Sequence, residues 1–381
     1  MPQIARWQRK AGLDVRLAAL YGSSSEAVGP ASASREPVWE VPYHFFRCRG
    51  PEEYGWSWGL TAWLWRNARE VDLLHLHGLF SYPTLLGSRL ARYFHRPYIV
   101  SPHGMLDPWA LAWKAWKKRP YFKLFDHRTL KRAAALHALT AAEGRQFAAL
   151  GLQRPTFVLP NGIDPDDYRS VPPRAVLDAR YPELRGKRYL LFLGRLHPKK
   201  GLDVLLEAFG MLVRRVAGCS DLLLVLAGPD NVGYRAALEL AVARYELSQH
   251  VRFTGLLEGE EKLSALGAAE LFVLPSHSEG FSMAALEAAA CGCPVVLSPA
   301  CNFPEIEAAG GGVIVEPRGE ALARALGALL TDPVRRRDMG RRGQALVREK
   351  LNWESIAARM IAVYEDILRG DRLAPAWING H

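Results

Sequence analysis

The stretch Leu271-Phe272-Val273-Leu274-Pro275-Ser276-His277-Ser278-Glu279-Gly280-Phe281-Ser282-Met283-Ala284-Ala285-Leu286-Glu287-Ala288-Ala289-Ala290-Cys291-Gly292-Cys293-Pro294-Val295-Val296-Leu297 has the grammar of a strand, a loop, a helix and a second strand. Leu271 to Leu274 is a short apolar run closed by a proline, the pattern of a buried strand. A polar turn containing Gly280 follows. Met283 to Ala290 is a run of helix formers, stopped by Gly292 and Pro294. Val295-Val296-Leu297 is the next buried strand. Apolar strands joined through a helix predict an open parallel α/β sheet, whose ligands bind at loops leaving the carboxyl ends of strands.

The loop of this unit carries chemistry. The amides of Phe281, Ser282 and Met283 stand at a helix start, where they lack an intrahelical acceptor and the dipole favours an anion, so a phosphate fits. Glu279 precedes the helix and Glu287 lies within it. Their spacing does not make one helical stripe, and two separated carboxylates can hold two parts of one extended ligand. The plainer alternative is an N-terminal acid and a solvated helix glutamate. A second unit lies upstream. Tyr189-Leu190-Leu191-Phe192-Leu193 reads as a buried strand and runs into Gly194-Arg195-Leu196-His197-Pro198-Lys199-Lys200-Gly201. An amphipathic helix with Leu205, Leu206, Ala208, Phe209 and Leu212 follows. Arg195 as a fork and Lys200 as a point charge suit a diphosphate.

Two motifs, in this order, carry a resemblance. They are the glycine-arginine loop ending in Lys200-Gly201, and E-x7-E at Glu279 and Glu287 followed by Ala290-Cys291-Gly292-Cys293-Pro294-Val295-Val296. Together they resemble the retaining, nucleotide-sugar-dependent glycosyltransferases of family 4. The resemblance implies an α/β protein of the GT-B fold, with two Rossmann-like doubly wound domains facing a central cleft. It divides the chain into an acceptor-side domain at 1–165, a linker at 166–186, a nucleotide-sugar-binding domain at 187–352 and a C-terminal helix at 353–381 that crosses back. It implies transfer of a hexose from a nucleoside-diphosphate sugar to a glycan or lipid-linked acceptor, in assembly of bacterial surface polysaccharide. Arg195, Lys200, Gly280, Phe281, Ser282 and Glu287 are then expected to bind the donor, Glu287 through the ribose. Glu279 is expected to hold the sugar hydroxyls, and His103 to line the acceptor side, as the two catalytic residues. No cofactor and no divalent metal are expected. The nucleotide sugar is a substrate, and Arg195, Lys200 and the helix end supply the positive charge.

In that family a first strand and a glycine-rich loop come before the helix read at the start of this chain. Both are expected to be missing here, which would leave apolar surface and unpaired backbone at the sheet. The alternative function is therefore a non-catalytic GT-B protein, acting as a binding or scaffold module.

Composition sets bounds on these readings. A chain of 381 residues suggests two domains of ordinary size. With 49% hydrophobic and 23% charged residues, sizeable cores are expected. No apolar run approaches the roughly 18–20 residues of a membrane span, and the polar, basic start does not read as a signal peptide. Cys48, Cys219, Cys291, Cys293 and Cys301 show neither C-x-x-C nor zinc spacing and are read as reduced cytoplasmic thiols. There is no G-x-G-x-x-G, no Walker lysine loop and no metal-ligand spacing. A net charge of +10 and a pI near 9.4 suit anionic partners.

The rest of the chain supplies fewer signals. Residues 1–20 read as a helix end, a stop at Gly12 and a strand, and 22–37 as a loop. Trp56, Trp58, Trp63 and Trp65 fall in a helix before the strand Val71 to His77. His77 either lines the ligand site at a strand end or packs as an ordinary histidine. The strand Pro97 to Ser101 leads to His103-Gly104, which the resemblance places on the acceptor side, with Asp107 nearby. Between Pro108 and Arg132, Trp109, Trp113, Trp116, Phe122 and Phe125 interleave with Lys114, Lys117, Lys118, Arg119, Lys123 and Arg128. Pro120 is expected to divide this stretch into two helices. Residues 109–132 describe either a contact with an anionic membrane surface, on the inner face of the cell membrane, or a core-facing helix with a solvated basic face. No nucleic-acid motif accompanies the charge. Asn161-Gly162 is expected to be a turn with positive φ, and Gly310-Gly311-Gly312-Val313-Ile314-Val315 a late strand after a tight turn.

Overall fold

The computed structural model describes residues 2–21, 41–50, 55–112, 114–216, 218–371 and 373. The stretch 22–37 and Trp113 lie outside the described residues. The chain divides into two compact units, one of residues 1–162 with 353–381 and the other Ile163–Asn352.

The second unit is one six-stranded parallel sheet. Its strands are β7 (Tyr189–Leu193), β8 (Leu223–Ala227), β9 (Val251–Gly255), β10 (Leu271–Leu274), β11 (Val295–Leu297) and β12 (Gly312–Ile314), in the order β12-β11-β10-β7-β8-β9. The inner strands β8, β10 and β11 are apolar throughout and fully buried, as in a sheet packed on both faces, whereas edge strand β9 carries Arg252 and Thr254. Tyr189, Leu190, Leu191, Phe192 and Leu271 to Leu274 have no exposed surface, each contributing roughly 1.5–3 kcal/mol on burial. The helix Leu202–Arg215 turns Leu205, Leu206, Ala208, Phe209 and Leu212 to this core. Strand order reverses between β7 and β10. That is the switch point of a doubly wound sheet, where two loops part and leave a crevice.

Residues 163–186 pack as part of this unit. Short helices at Pro165–Tyr168, Arg174–Arg180 and Pro182–Leu184 bury Leu177 and Leu184 completely.

The first unit carries two parallel sheets. β1 (Leu17–Tyr21) pairs with β2 (Tyr43–Arg47). β3 (Leu74–His77), β4 (Tyr98–Ser101), β5 (Ala135–Ala138) and β6 (Thr156–Val158) follow in the order β3-β4-β5-β6. The helix Trp353–Arg369 packs on the helix Pro2–Lys10, and its Met360 and Val363 enter a core with Ile99, Ala135, Phe157 and Leu159.

Four local expectations are corrected. Trp56 precedes its helix, which starts at Trp58 because Ser57 is the N-cap. Pro120 lies inside the helix Ala115–Tyr121. The break falls earlier, at left-handed Lys114, and the chain continues after Pro120 through a π-helical turn at Phe122–Asp126. A proline near a helix end removes one amide bond, which the wider turn absorbs. Neither Asn161 nor Gly162 has positive φ, and the next residue, Ile163, pairs with Asn352. β12 is shorter than the stretch 310–315, running only from Gly312 to Ile314, because Gly310 is left-handed and belongs to the turn.

Candidate functional site

The loops after β7 and β10 meet at the switch point. The His277 amide donates to the Lys199 carbonyl at 2.7 Å. Gly201 has φ +65°, and a Cβ there would stand 2.1 Å from the Pro275 carbonyl oxygen. Only glycine permits both that angle and that approach. Lys200 Nζ donates to Glu279 Oε1, and the two side chains are 13% and 9% exposed. The Ser276 hydroxyl donates to the same oxygen at 2.8 Å. Asn302 Nδ2 donates to the Glu279 carbonyl at 2.7 Å from a left-handed backbone, φ 54°. The Glu279 loop is thus held by the neighbouring loop, by its own serine and by the turn after β11. The structure brings Lys200 and Glu279 together as a buried ion pair. Arg195, on the same loop as Lys200, is exposed.

Gly280 and Phe281 lead into the helix Met283–Ala290. Phe281 is buried edge-on against Phe303, with ring centres 5.4 Å apart. Ser282 is the N-cap, and its hydroxyl accepts from the Ala285 amide at 3.3 Å. Met283, Ala284 and Ala285 are the helical amides whose i−4 acceptors would lie before the helix; Ser282 takes that of Ala285, so Met283 and Ala284 face out of the helix end. Glu287, one turn on, takes a 3.1 Å bond from Lys262 Nζ and one from the Tyr168 hydroxyl. Burial, and then the Glu287 carboxylate, push the Tyr168 phenol above its ordinary range. Cys291 is pushed up to about 12 by burial and then by Glu287, so its thiol is protonated and inert at neutral pH. All five cysteines are free thiols.

His103 belongs to the first unit and stands just past β4, in a left-handed conformation, φ 55°. A side chain held there marks an over-determined position. Gly104 follows, also left-handed, and its amide donates to Glu143 Oε1 at 2.6 Å. Glu143 is 2% exposed, and its other oxygen accepts from the Leu139 amide at 2.7 Å. Burial raises its pKa, against the lowering effect of those two amides.

Around His103 lies a group of imidazoles. His77 Nδ1 is 3.0 Å from His103 Nε2. The His77 ring stacks on His75 at 4.2 Å. His75 and His137 sit in a hydrogen-bonded chain whose direction is fixed at one end. His137 Nε2 must donate to the Leu159 carbonyl at 2.8 Å. Its Nδ1 therefore accepts from the Ser101 hydroxyl at 2.7 Å. Ser101 then accepts from His75 Nε2 at 2.6 Å, and His75 Nδ1 accepts from the Tyr364 hydroxyl at 2.6 Å. Tyr364 accepts in turn from Gln8 Nε2 at 3.2 Å. Each imidazole in this chain is neutral and holds its proton on Nε2. Burial, before any other cause, lowers all of these histidines, His103 to about 4 and His137 to about 3.

Sequence reading did not reach Ser276, Lys262, Tyr168, Asn302 or Glu143. Asn302 had a signal, an asparagine between a strand and Phe303-Pro304. Lys262 and Tyr168 had none, because they come from elements distant in the chain. Among the described residues no group of three or more His, Cys, Asp or Glu side chains is placed to hold a metal ion.

Residues 175–346 match the family described as glycosyl transferases group 1, and residues 1–162 match the one described as a glycosyl transferase 4-like domain. The chain is 31% identical over 324 residues to a D-inositol 3-phosphate glycosyltransferase of Kineococcus radiotolerans, covering 80% of this chain and 74% of that one. It is 29% identical over 232 residues to a GDP-mannose-dependent monoacylated alpha-(1-6)-phosphatidylinositol monomannoside mannosyltransferase of Corynebacterium glutamicum, covering 58% of this chain and 59% of the relative. With several such relatives the chain spans little more than half of their length. Among solved structures, Anabaena HepE in complex with UDP and glucose aligns with TM-score 0.75 at 20% identity, over 96% of this chain and 94% of that one. The fold is GT-B, and the chain belongs to the group 1 glycosyltransferases.

Proposed function

We propose that the protein transfers a hexose, with retention of anomeric configuration and without a divalent metal, from a nucleoside-diphosphate sugar to a glycan or lipid-linked acceptor. The observation that carries this reading is the pair of switch-point loops, which set Lys200, Glu279 and the Met283 helix end within one locked turn system. Arg195 and Lys200 oppose the charge of the diphosphate, and the Met283 and Ala284 amides add the positive end of the helix dipole. Stabilising the leaving diphosphate as it gains charge is the main contribution to rate. Glu279, supported by Ser276, holds sugar hydroxyls, and Glu287 holds the ribose. Lys200 shares itself between Glu279 and the phosphates, so the pair stays neutral when the donor is absent. His103 serves the acceptor side. The family relatives' names, which include a GDP-mannose-dependent lipid mannosyltransferase, support a nucleotide-sugar donor and an amphiphilic acceptor.

An acceptor of that kind suits a protein working at an anionic membrane surface on its cytoplasmic side. Among the described residues no helix is long and apolar enough to cross a membrane. The 109–132 segment exposes Trp116 at 75% and Leu124 at 66% beside Lys117 and Lys123, the make-up of an interfacial contact.

The test is thermal unfolding of the purified chain with UDP, GDP and ADP, each with and without Mg²⁺. A rise with one nucleotide, unchanged by Mg²⁺, is expected; at a hundred-fold excess over Kd it amounts to about 2.7 kcal/mol. No rise with any nucleotide removes the donor assignment. Product analysis with the matching nucleotide sugars then tests transfer and anomeric outcome.

A further inference from the structure

The imidazole group has a member with no assigned task. His77 ends β3, opposite Ser101 in the sheet register, two residues before His103 on the neighbouring strand. Its ring rests on His75, which is fixed on both nitrogens by Tyr364 and Ser101. The His103 ring lies nearly parallel to it, at 19° and 5.3 Å between centres. The His103 main chain is held from the other side, through Gly104, by Glu143. Among the described residues, the hydrogen-bond anchor of the His103 ring is the contact between His77 Nδ1 and His103 Nε2.

A bond between two neutral imidazole nitrogens carries a single proton, so only two arrangements exist. In one, His77 donates and both rings hold their proton on Nδ1. In the other, His103 Nε2 donates to His77 Nδ1 and both rings hold their proton on Nε2, the form a neutral imidazole prefers and the one His75 and His137 already adopt. We propose that His77 is a positioning residue, whose Nδ1 accepts from His103 Nε2–H, fixing the His103 ring and leaving the His103 Nδ1 lone pair as the acceptor offered to a substrate hydroxyl. This rests on the assignment of His103 to the acceptor side. The bond itself is independent of it.

The proton count is simple. A hydroxyl bound at Nδ1 donates without any change in the ring. If it loses its proton, His103 becomes an imidazolium that still donates from Nε2 to His77, and the proton leaves later from Nδ1.

The experiment reads the bond first and the reaction second. Protein labelled with ¹⁵N-histidine, at pH 7.5, gives long-range ¹H–¹⁵N correlations that identify which nitrogen of each ring is protonated; His103→Gln assigns the His103 signals. The expected result is His103 protonated on Nε2, with His103 shifts that move in His77→Phe and return towards wild type in His77→Asn, whose Oδ1 stands in for the lost Nδ1. Protonation of His103 on Nδ1, an imidazolium at pH 7.5, or His103 shifts that ignore His77→Phe would each overturn the proposal. With the donor found by thermal shift, kcat is expected to fall about ten- to hundred-fold in His77→Phe, with donor KM unchanged and partial recovery in His77→Asn. A protein that shows the expected tautomer and no nucleotide binding would refute the glycosyl-transfer reading while leaving the His77–His103 bond established.

Discussion

Replacing Lys200 by Met removes the cation from a carboxylate that has little access to water. Glu279 is 9% exposed and Lys200 13%. Breaking one side of a buried pair leaves an uncompensated charge and costs about 3–5 kcal/mol, whereas an exposed pair is worth about 0–1 kcal/mol. The Ser276 hydroxyl still donates to Glu279, so the lower end, about 3 kcal/mol, is expected. For a unit of this size that lowers Tm by roughly 6–12 °C. Glu279→Gln leaves the Lys200 cation unpaired in turn, but it should cost less, because the long lysine stem can turn the ammonium to water and Gln can still accept from Ser276. The double variant should be nearly as stable as Glu279→Gln alone, giving a coupling of about 2–3 kcal/mol in the cycle. Urea unfolding, read by a probe in the second unit, measures all four proteins. A Lys200→Met loss below about 1 kcal/mol with no coupling would refute the argument, since it would mean the pair is screened like a surface one.

Other outcomes follow from the same geometry. Gly201→Ala should destabilise the second unit by at least about 2 kcal/mol, through the left-handed angle and the Pro275 contact together, and should also weaken nucleotide binding; an unchanged urea midpoint would contradict this. Because the folded chain keeps His103 and His137 unprotonated down to about 4 and about 3, while the unfolded chain takes up protons near 6.5, their stability contribution is complete above pH 6.5 and is lost as pH falls. Lowering the pH from 7.5 to 5.5 should cost about 2–3 kcal/mol from these two residues, read as a shift in urea midpoint. Asp126 works in the opposite direction: burial raises it to about 6, so its charge is unfavourable at pH 7.5. Its Oδ2 accepts from the Phe80 amide and its other oxygen is buried without a partner. Asp126→Asn should therefore gain about 1–2 kcal/mol at pH 7.5, a gain that fades below pH 6; a loss at pH 7.5 would count against it. Trp116→Glu with Lys123→Glu should abolish co-sedimentation with anionic vesicles without lowering Tm, and equal sedimentation of variant and wild type would remove the membrane contact.

The sequence by itself determined the parallel α/β class and most strands, because fully buried strands leave continuous apolar runs such as Leu190–Leu193 and Leu271–Leu274, and glycine and proline punctuate them. It also put Arg195, Lys200, Glu279 and Ser282 on the stretches after two strand ends, where the loops after β7 and β10 carry them. Where local signals misled, the surroundings differ from them: Gly162 lacks positive φ where Ile163 after it pairs with Asn352, and Pro120 is followed by a π turn. What only the tertiary structure decided is which charges neutralise which. Lys200 on Glu279, Lys262 and Tyr168 on Glu287, and the chain from Gln8 through Tyr364, His75, Ser101 and His137 all join residues far apart in sequence. Periodicity and propensity act over a turn or two of chain, so they carry no information about such pairs; sheet order and helix docking set them.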